Sequence, residues 1–182
     1  MRMRAISIVL CWACSSPASH TELAPSIEAS APIMRPRIVA HRGASHDAPE
    51  NTLAAFHRAW ELGVESVELD VHVTRDGAVV VIHDDNTKRV ANVDRPVADQ
   101  TLAELARLDV GRGERIPTLA QVLATIPRGR TLFIEIKTRP ETAPAIAGAI
   151  LDADPRPRGA RLALQGFDPK ALSALAAEVP GV

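Results

Sequence analysis

The chain is short of aromatic residues and has no tyrosine at all. Its five aromatic side chains are Phe56, Phe133, Phe167, Trp12 and Trp60. A folded core therefore has to be built from aliphatic residues, and the 46% of hydrophobic residues among 182 supply enough of them for one domain.

Three further shortages narrow the classes of protein that fit. The two cysteines, Cys11 and Cys14, lie near the start, so the rest of the chain has no disulfide and no thiolate metal site. No apolar run reaches the roughly eighteen residues that a membrane-spanning helix needs. With 21 basic and 22 acidic residues the net charge is only −1. This balance argues against a nucleic-acid partner, because such binding depends on positive charge that neutralises phosphates.

Residues 1–20 have the pattern of an export signal. Two arginines precede the apolar stretch 5–13, and small residues follow it. Cys14 stands where a bacterial lipoprotein is processed, although Cys11 occupies a position that is usually aliphatic. We expect an exported protein, periplasmic or extracellular, with membrane contact only through a lipid on Cys14; the alternative is a misassigned start before a cytoplasmic protein. Residues 21–36 are predicted to form a flexible linker.

The remainder alternates between β-rich and helical segments. Thr52 (or Asn51), Thr118 and Asp168 are predicted to begin helices, because each places a capping side chain before a helical pattern. Strands that alternate with helices indicate a parallel sheet in an α/β fold. The five predicted strands, expected to be parallel, are 38–41, 66–73, 78–83, 131–136 and 162–166.

Carboxylates are paired on one predicted strand, and a third follows on a later one. Glu68 and Asp70 stand two residues apart, so both side chains point to one face with Cα atoms roughly 7 Å apart. Glu135 and Lys137 repeat this spacing. Carboxylates gathered at one end of a sheet would repel one another by roughly 4 kcal/mol per pair at ~4 Å and an effective dielectric near 20. A hard divalent cation removes this repulsion, and oxygen ligands favour Mg²⁺ or Ca²⁺ over Zn²⁺.

Two histidines follow other predicted strands at the end where the catalytic groups of α/β barrels lie. These are His41 and His83. Arg42 and Lys137 add positive charge for an anion, and the histidines can supply an acid and a base. The combination favours cleavage of a phosphoric ester. Taken singly, each feature also suits a structural role, such as a solvated strand face or a hydrogen-bonded turn.

Seven motifs occur in a fixed order along the chain: His41-Arg-Gly, Pro49-Glu-Asn-Thr52, Glu68-Leu-Asp70, Thr74-Arg-Asp-Gly77, Val81-Ile-His-Asp84, Ile116-Pro-Thr-Leu119 and Glu135-Ile-Lys137. In wording, order and spacing the chain resembles the glycerophosphodiester phosphodiesterase family over about residues 37–175. The resemblance implies a (β/α)₈ barrel of the TIM type. It also implies hydrolysis of glycerophosphodiesters to sn-glycerol 3-phosphate and an alcohol, with one divalent cation, Mg²⁺ or Ca²⁺.

The resemblance assigns roles to individual positions. Glu50 is expected to support Arg42 or its loop, and 84–117 corresponds to an insertion over the mouth of the site. Within it, the segment 86–90 departs from the family's usual L-x-R-T wording, so the preferred alcohol is left open. The implied site residues are His41 and His83 as the acid–base pair, Arg42 and Lys137 as phosphate contacts, and Glu68, Asp70 and Glu135 as metal ligands.

The length of the domain predicts an incomplete barrel. A (β/α)₈ barrel typically needs ~250 residues, whereas residues 37–182 hold five predicted strands. The family would supply three more βα units after them. One alternative is a phospholipase-D-like lyase on the same barrel, and another is an inactive fragment that keeps the motifs. The oligomeric state is not predicted.

Overall fold

The computed structural model describes residues 37–182. The predicted signal at 1–20, with Cys14, and the predicted linker at 21–36 lie outside the described residues. Within the described part, no helix has the length and apolar character needed to cross a bilayer.

Four parallel strands form the main sheet. Strand β1 pairs with β2, β2 with β4, and β4 with β5. Helices connect the successive parallel strands, as a parallel pairing requires, and this confirms the α/β class. The strands are β1 Val39–His41, β2 Ser66–Val73, β3 Val79–Val81, β4 Thr131–Ile136 and β5 Arg161–Gly166.

Strand β3 corrects the expectation of five parallel strands. It runs antiparallel to β2, with Val71 opposite Val81 and Val73 opposite Val79. The physical reason is the short connection: a turn around Gly77, at φ +82°, joins the two strands, whereas a parallel pairing needs a crossover of a dozen or more residues. Strand β3, which is shorter than the predicted 78–83, is therefore the return arm of a hairpin and not a fifth parallel strand.

The helices begin where their capping residues predict. The side chain of Thr52 accepts a hydrogen bond from the Ala55 backbone N–H. Thr118 forms a capping box with Gln121, and Asp168 caps the last helix. Short 3₁₀ turns occur at Val97–Asp99, Pro140–Thr142 and Arg156–Arg158. The α-helices are α1 Leu53–Glu61, α2 Lys88–Ala91, α3 Leu102–Leu105, α4 Leu119–Leu123, α5 Ala143–Asp152 and α6 Pro169–Glu178.

Strand β2 is buried on both faces. Val67, Leu69 and Val71 are fully buried and belong to the main aliphatic core. On the opposite face Glu68 and Asp70 are also buried, which is typical of a parallel sheet covered on both sides. The fold therefore holds these carboxylates in its interior and not on a solvated strand face.

The stretch 84–117 packs over the hairpin. Val97, Leu105 and Ile116 bury their side chains with Val80 and Ile82, forming a second, smaller hydrophobic core. This core attaches the insertion, including α2, to the same hairpin that carries His83.

Candidate active site

The register of the sheet places three carboxylates side by side. Asp70 on β2 lies opposite Glu135 on β4, and Glu68 lies opposite Phe133. Alternate residues of a strand share one face, so Glu68 and Asp70 point to the same side. One carboxylate oxygen from each of the three acids lies within 4.8 Å of the other two. The structure thus brings together the three acids singled out in the sequence.

The burial of this cluster is electrostatically unfavourable for its charged state. Desolvation, together with the negative charge of Asp70, raises the pKa of Glu68 to about 7. Asp70 is fully buried, and its Oδ1 makes no hydrogen bond, although Lys137 Nζ lies 3.2 Å away in an ion pair. The side chains around the cluster therefore leave part of its negative charge uncompensated.

The geometry of the cluster fits a single hard cation. Oxygens that bind one Mg²⁺ or Ca²⁺ at 2.0–2.6 Å are separated from one another by at most about 5 Å, and the three carboxylates satisfy this limit. The donor set is entirely oxygen, which suits hard cations. The Asp70 Oδ1 atom that lacks a hydrogen bond is an available ligand atom.

Two cationic side chains border the cluster. Lys137 Nζ donates a hydrogen bond to Glu135 Oε1 at 2.7 Å. Burial lowers the pKa of Lys137, but the hydrogen bond to Glu135 and the charge of Asp70 outweigh it, so the net shift is upward and the ammonium stays charged. Arg42 Nε lies 3.5 Å from Asp70 Oδ2 and makes no hydrogen bond. An anion at the cluster would therefore meet two positive groups.

A sharp bend after β1 directs Arg42 to the cluster. Arg42 and Gly43 both have left-handed backbones, at φ +58° and +78°, and the Arg42 N–H donates to Glu68 Oε2 at 3.1 Å. A Cβ on Gly43 would lie 2.7 Å from the carbonyl carbon of Ala55, so the close approach of α1 requires glycine. A left-handed conformation is uncommon for arginine, and such strain is often found at functional sites.

The first predicted histidine borders the cluster. His41 ends β1, opposite Glu68 in the register. Its Nε2 lies 3.9 Å from Glu68 Oε2, and 67% of its side chain is exposed. The ring therefore stands between the carboxylates and solvent, where it can contact a bound ligand.

The second predicted histidine does not stand at the end of a parallel strand, as was expected. His83 follows the antiparallel strand β3, and its backbone carbonyl is hydrogen-bonded to His72 Nε2 at 3.1 Å. Its own Nδ1 pairs with Asp84 Oδ1 at 2.7 Å. Within residues 37–182 no hydrogen bond or ion pair joins its ring to the three carboxylates. It lines a small cavity together with Glu50 and Asn51.

Asn51 is a site residue that the sequence analysis missed, since the only role considered for it there was that of a helix cap. Its Nδ2 donates to Asp70 Oδ2 at 2.9 Å, and its backbone N–H donates to the Arg42 carbonyl. The backbone is left-handed, at φ +57°, which asparagine tolerates better than most residues. The one usable signal was its place in the Pro49-Glu-Asn-Thr52 motif. Gln165, whose Nε2 lies 3.5 Å from Glu68 Oε1, gave no signal.

Comparison with known proteins points to one family. The sequence profile of the glycerophosphoryl diester phosphodiesterase family matches residues 41–180. A glycerophosphodiester phosphodiesterase of Caldanaerobacter subterraneus is 44% identical over an alignment of 128 residues that covers 66% of this chain and 53% of that protein. A putative glycerophosphodiester phosphodiesterase of Bacillus subtilis is 48% identical over an alignment of 110 residues that covers 57% of this chain and 45% of that protein. The chain thus spans about half the length of these curated relatives.

Solved structures show the same fold. A phosphodiesterase of Oleispira antarctica, in complex with the product sn-glycerol-3-phosphate, aligns with a TM-score of 0.72 and 35% identity over 78% of this chain and 62% of that one. A glycerophosphodiester phosphodiesterase of Thermotoga maritima aligns with a TM-score of 0.65 and 35% identity, over 81% of this chain and 60% of its own. The fold is therefore of the TIM-barrel type, as expected from the motifs. The chain belongs to the glycerophosphoryl diester phosphodiesterase family, a family of phosphoric diester hydrolases.

Proposed function

We propose that this protein hydrolyses glycerophosphodiesters to sn-glycerol 3-phosphate and an alcohol, with one divalent cation, Mg²⁺ or Ca²⁺, held by Glu68, Asp70 and Glu135. The observation that supports this most strongly is the convergence of three buried carboxylates between two cationic side chains. The product named for the Oleispira structure fits this substrate class.

The cationic side chains would bind the phosphodiester. When bound, the cation supplies positive charge that polarises the phosphoryl group and offsets the charge that develops on it. Arg42 and Lys137 would contact the non-bridging oxygens from two sides of the cluster, where fixed positive groups stabilise the same developing charge. Lys137 is suited to this because its ammonium stays charged despite its partial burial.

The two histidines would move the protons. Hydrogen bonds from Arg89 and from the ring of His83 lower the pKa of Asp84 to about 2, so this carboxylate is ionised and accepts a hydrogen bond from the Nδ1–H of His83. Nε2 of His83 is then the atom that exchanges a proton with substrate. His41 lies by Glu68 and would act on the opposite side of the reaction from His83. One imidazole would remove a proton from the attacking group while the other protonates the oxygen of the leaving alcohol.

Turnover by the whole chain tests the proposal. The 182-residue protein, freed of metal by a chelator, is assayed for release of glycerol 3-phosphate from glycerophosphocholine, with and without added Mg²⁺ or Ca²⁺. We expect release only with the cation, and loss of both release and cation binding in Asp70→Asn. Glu61→Gln is the matched control, because this carboxylate is exposed on α1. Cation-dependent turnover in Asp70→Asn would contradict the assignment, and a cyclic phosphate product would indicate the lyase instead.

A further inference from the structure

Arg89, on the short helix α2 of the insertion, binds two carboxylates at the site. Its Nε donates to Asp84 Oδ2 at 2.7 Å. Its Nη2 donates to Glu50 Oε1 at 2.7 Å, and its Nη1 to Glu50 Oε2 at 3.0 Å. One guanidinium thus bridges residues that are 34 positions apart in the sequence, with the paired geometry that makes arginine–carboxylate contacts strong.

Each of these carboxylates also contacts a residue of the proposed machinery. Glu50 Oε1 accepts a second hydrogen bond, from Arg42 Nη1 at 3.0 Å. Asp84 Oδ1 pairs with the ring of His83. Hydrogen bonds from Arg89 lower the pKa of both Glu50 and Asp84, so both are ionised. Asp84 therefore holds Arg89 at Glu50, whose Oε1 accepts hydrogen bonds from both Arg89 and Arg42.

The sharing of Glu50 bears on how much positive charge Arg42 can present to a ligand. With Arg89 in place, the single negative charge of Glu50 is shared between two guanidinium groups. Without Arg89, Glu50 would be free to pair with Arg42 alone and to draw its guanidinium away from Asp70 and the carboxylate cluster. Arg42 already donates to Glu50 through Nη1, and a stronger pairing would leave its guanidinium with less positive charge and fewer free N–H groups for a phosphate oxygen.

We infer that Arg89 is a positioning residue that occupies Glu50 and thereby keeps Arg42 available for the phosphate of the substrate. This inference rests on the proposed function, because it assumes that Arg42 binds phosphate. It gives the insertion a specific role in the site: α2 supplies a side chain that acts on substrate binding through Glu50, although Arg89 need not touch the substrate.

Binding of inorganic phosphate tests this separately from catalysis. Phosphate is titrated calorimetrically into the 182-residue chain in saturating Mg²⁺, and Mg²⁺ alone is titrated into the metal-free chain. Arg89→Ala is expected to weaken phosphate binding about tenfold, the effect of losing one charge-assisted hydrogen bond. Its affinity for Mg²⁺ should not change, since Arg89 does not contact Glu68, Asp70 or Glu135. A general collapse of the site would lower both affinities.

The second variant makes the test specific to Glu50. In a Glu50→Gln background nothing competes strongly for Arg42, so Arg89→Ala should change phosphate affinity by less than about twofold. Arg89→Lys, compared in both backgrounds, repeats the test with the positive charge retained. We expect it to lose less phosphate affinity than Arg89→Ala. Lys88→Ala is the control, because Lys88 lies on the same helix and pairs with Asp94 away from the site.

The possible outcomes distinguish the role of Arg89 from the proposed reaction. Weaker phosphate binding in the position-89 variants, with unchanged Mg²⁺ affinity and recovery in Glu50→Gln, supports the role of Arg89. Equal phosphate binding by the wild type and Arg89→Ala would overturn it, as would a loss that persists undiminished in Glu50→Gln. A wild-type chain that binds phosphate in this pattern but releases no glycerol 3-phosphate would contradict the proposed reaction and leave the role of Arg89 supported.

Discussion

The raised pKa of Glu68 predicts an unusual pH dependence of stability for the metal-free chain. The ordinary value of 4.5 becomes about 7 in the folded protein, because the carboxyl is desolvated and faces Asp70. Between these two values the folded state binds more protons at Glu68 than the unfolded state does, so folding is favoured by acid. This contribution of Glu68 to the free energy of unfolding is fully present below pH 4.5 and is lost as the pH rises through 7.

The size of the effect follows from the shift. A change from 4.5 to about 7 corresponds in full to about 3 kcal/mol of unfolding free energy. Between pH 5 and pH 8 the Glu68 contribution alone should fall by about 2–3 kcal/mol. With a urea dependence of about 1–3 kcal/mol/M, the unfolding midpoint would decrease by roughly 1 M or more over this range.

Urea unfolding at several pH values measures this contribution directly. The wild-type chain in a chelator is compared with Glu68→Gln, which keeps the shape of the side chain but cannot ionise. We expect the difference in unfolding free energy between the two to change by about 2–3 kcal/mol from pH 5 to pH 8, and the control Glu61→Gln to follow the wild type. A saturating divalent cation should remove the loss at pH 8, because it binds the ionised cluster. An equal pH dependence in wild type and Glu68→Gln would refute the reasoning.

Three further variants test other parts of the structure. Gly43→Ala should lower the free energy of unfolding by about 2 kcal/mol or more, because a Cβ would lie 2.7 Å from the Ala55 backbone at a φ of +78°. Urea unfolding measures this loss of stability, and a smaller loss would mean that α1 can move away. Thr118→Ala should cost about 1 kcal/mol through loss of the α4 cap, also by urea unfolding, with Mg²⁺ affinity unchanged; a stability equal to wild type would show that the cap is dispensable. His83→Ala should abolish release of glycerol 3-phosphate while calorimetry shows unchanged Mg²⁺ binding, and an unchanged rate would exclude His83 from proton transfer.

Local chemistry was enough to predict most of the elements. The bounds expected for β2 and β4, 66–73 and 131–136, are those of the structure, because alternating β-branched residues and flanking turns define a strand without reference to the rest of the chain. Thr52, Thr118 and Asp168 begin helices as expected, since a cap depends only on the next three residues. The spacing of Glu68 and Asp70 also ensured that both point to one face.

The direction of β3 was predicted wrongly because the length of its connection to β2 was not considered. The strand at 78–83 was counted among the parallel strands, although a tight turn at Gly77 permits only an antiparallel return. The consequence concerns His83, which was expected to stand where the catalytic groups of α/β barrels lie because it follows that strand. It is held instead by contacts with His72 and Asp84, which join residues of the hairpin and the segment that follows it.

The residue types and their order along the chain were sufficient to define the α/β class, the aliphatic core and the carboxylates suited to a hard cation. The hydrogen bonds and ion pairs of the site were decided only by the tertiary structure. Asn51 contacts Asp70 across 19 positions, and Arg89 contacts Glu50 across 39 positions. Helix caps and strand faces arise from interactions between near neighbours, whereas burial, shared hydrogen bonds and the raised pKa of Glu68 exist only after distant segments have packed together and excluded water.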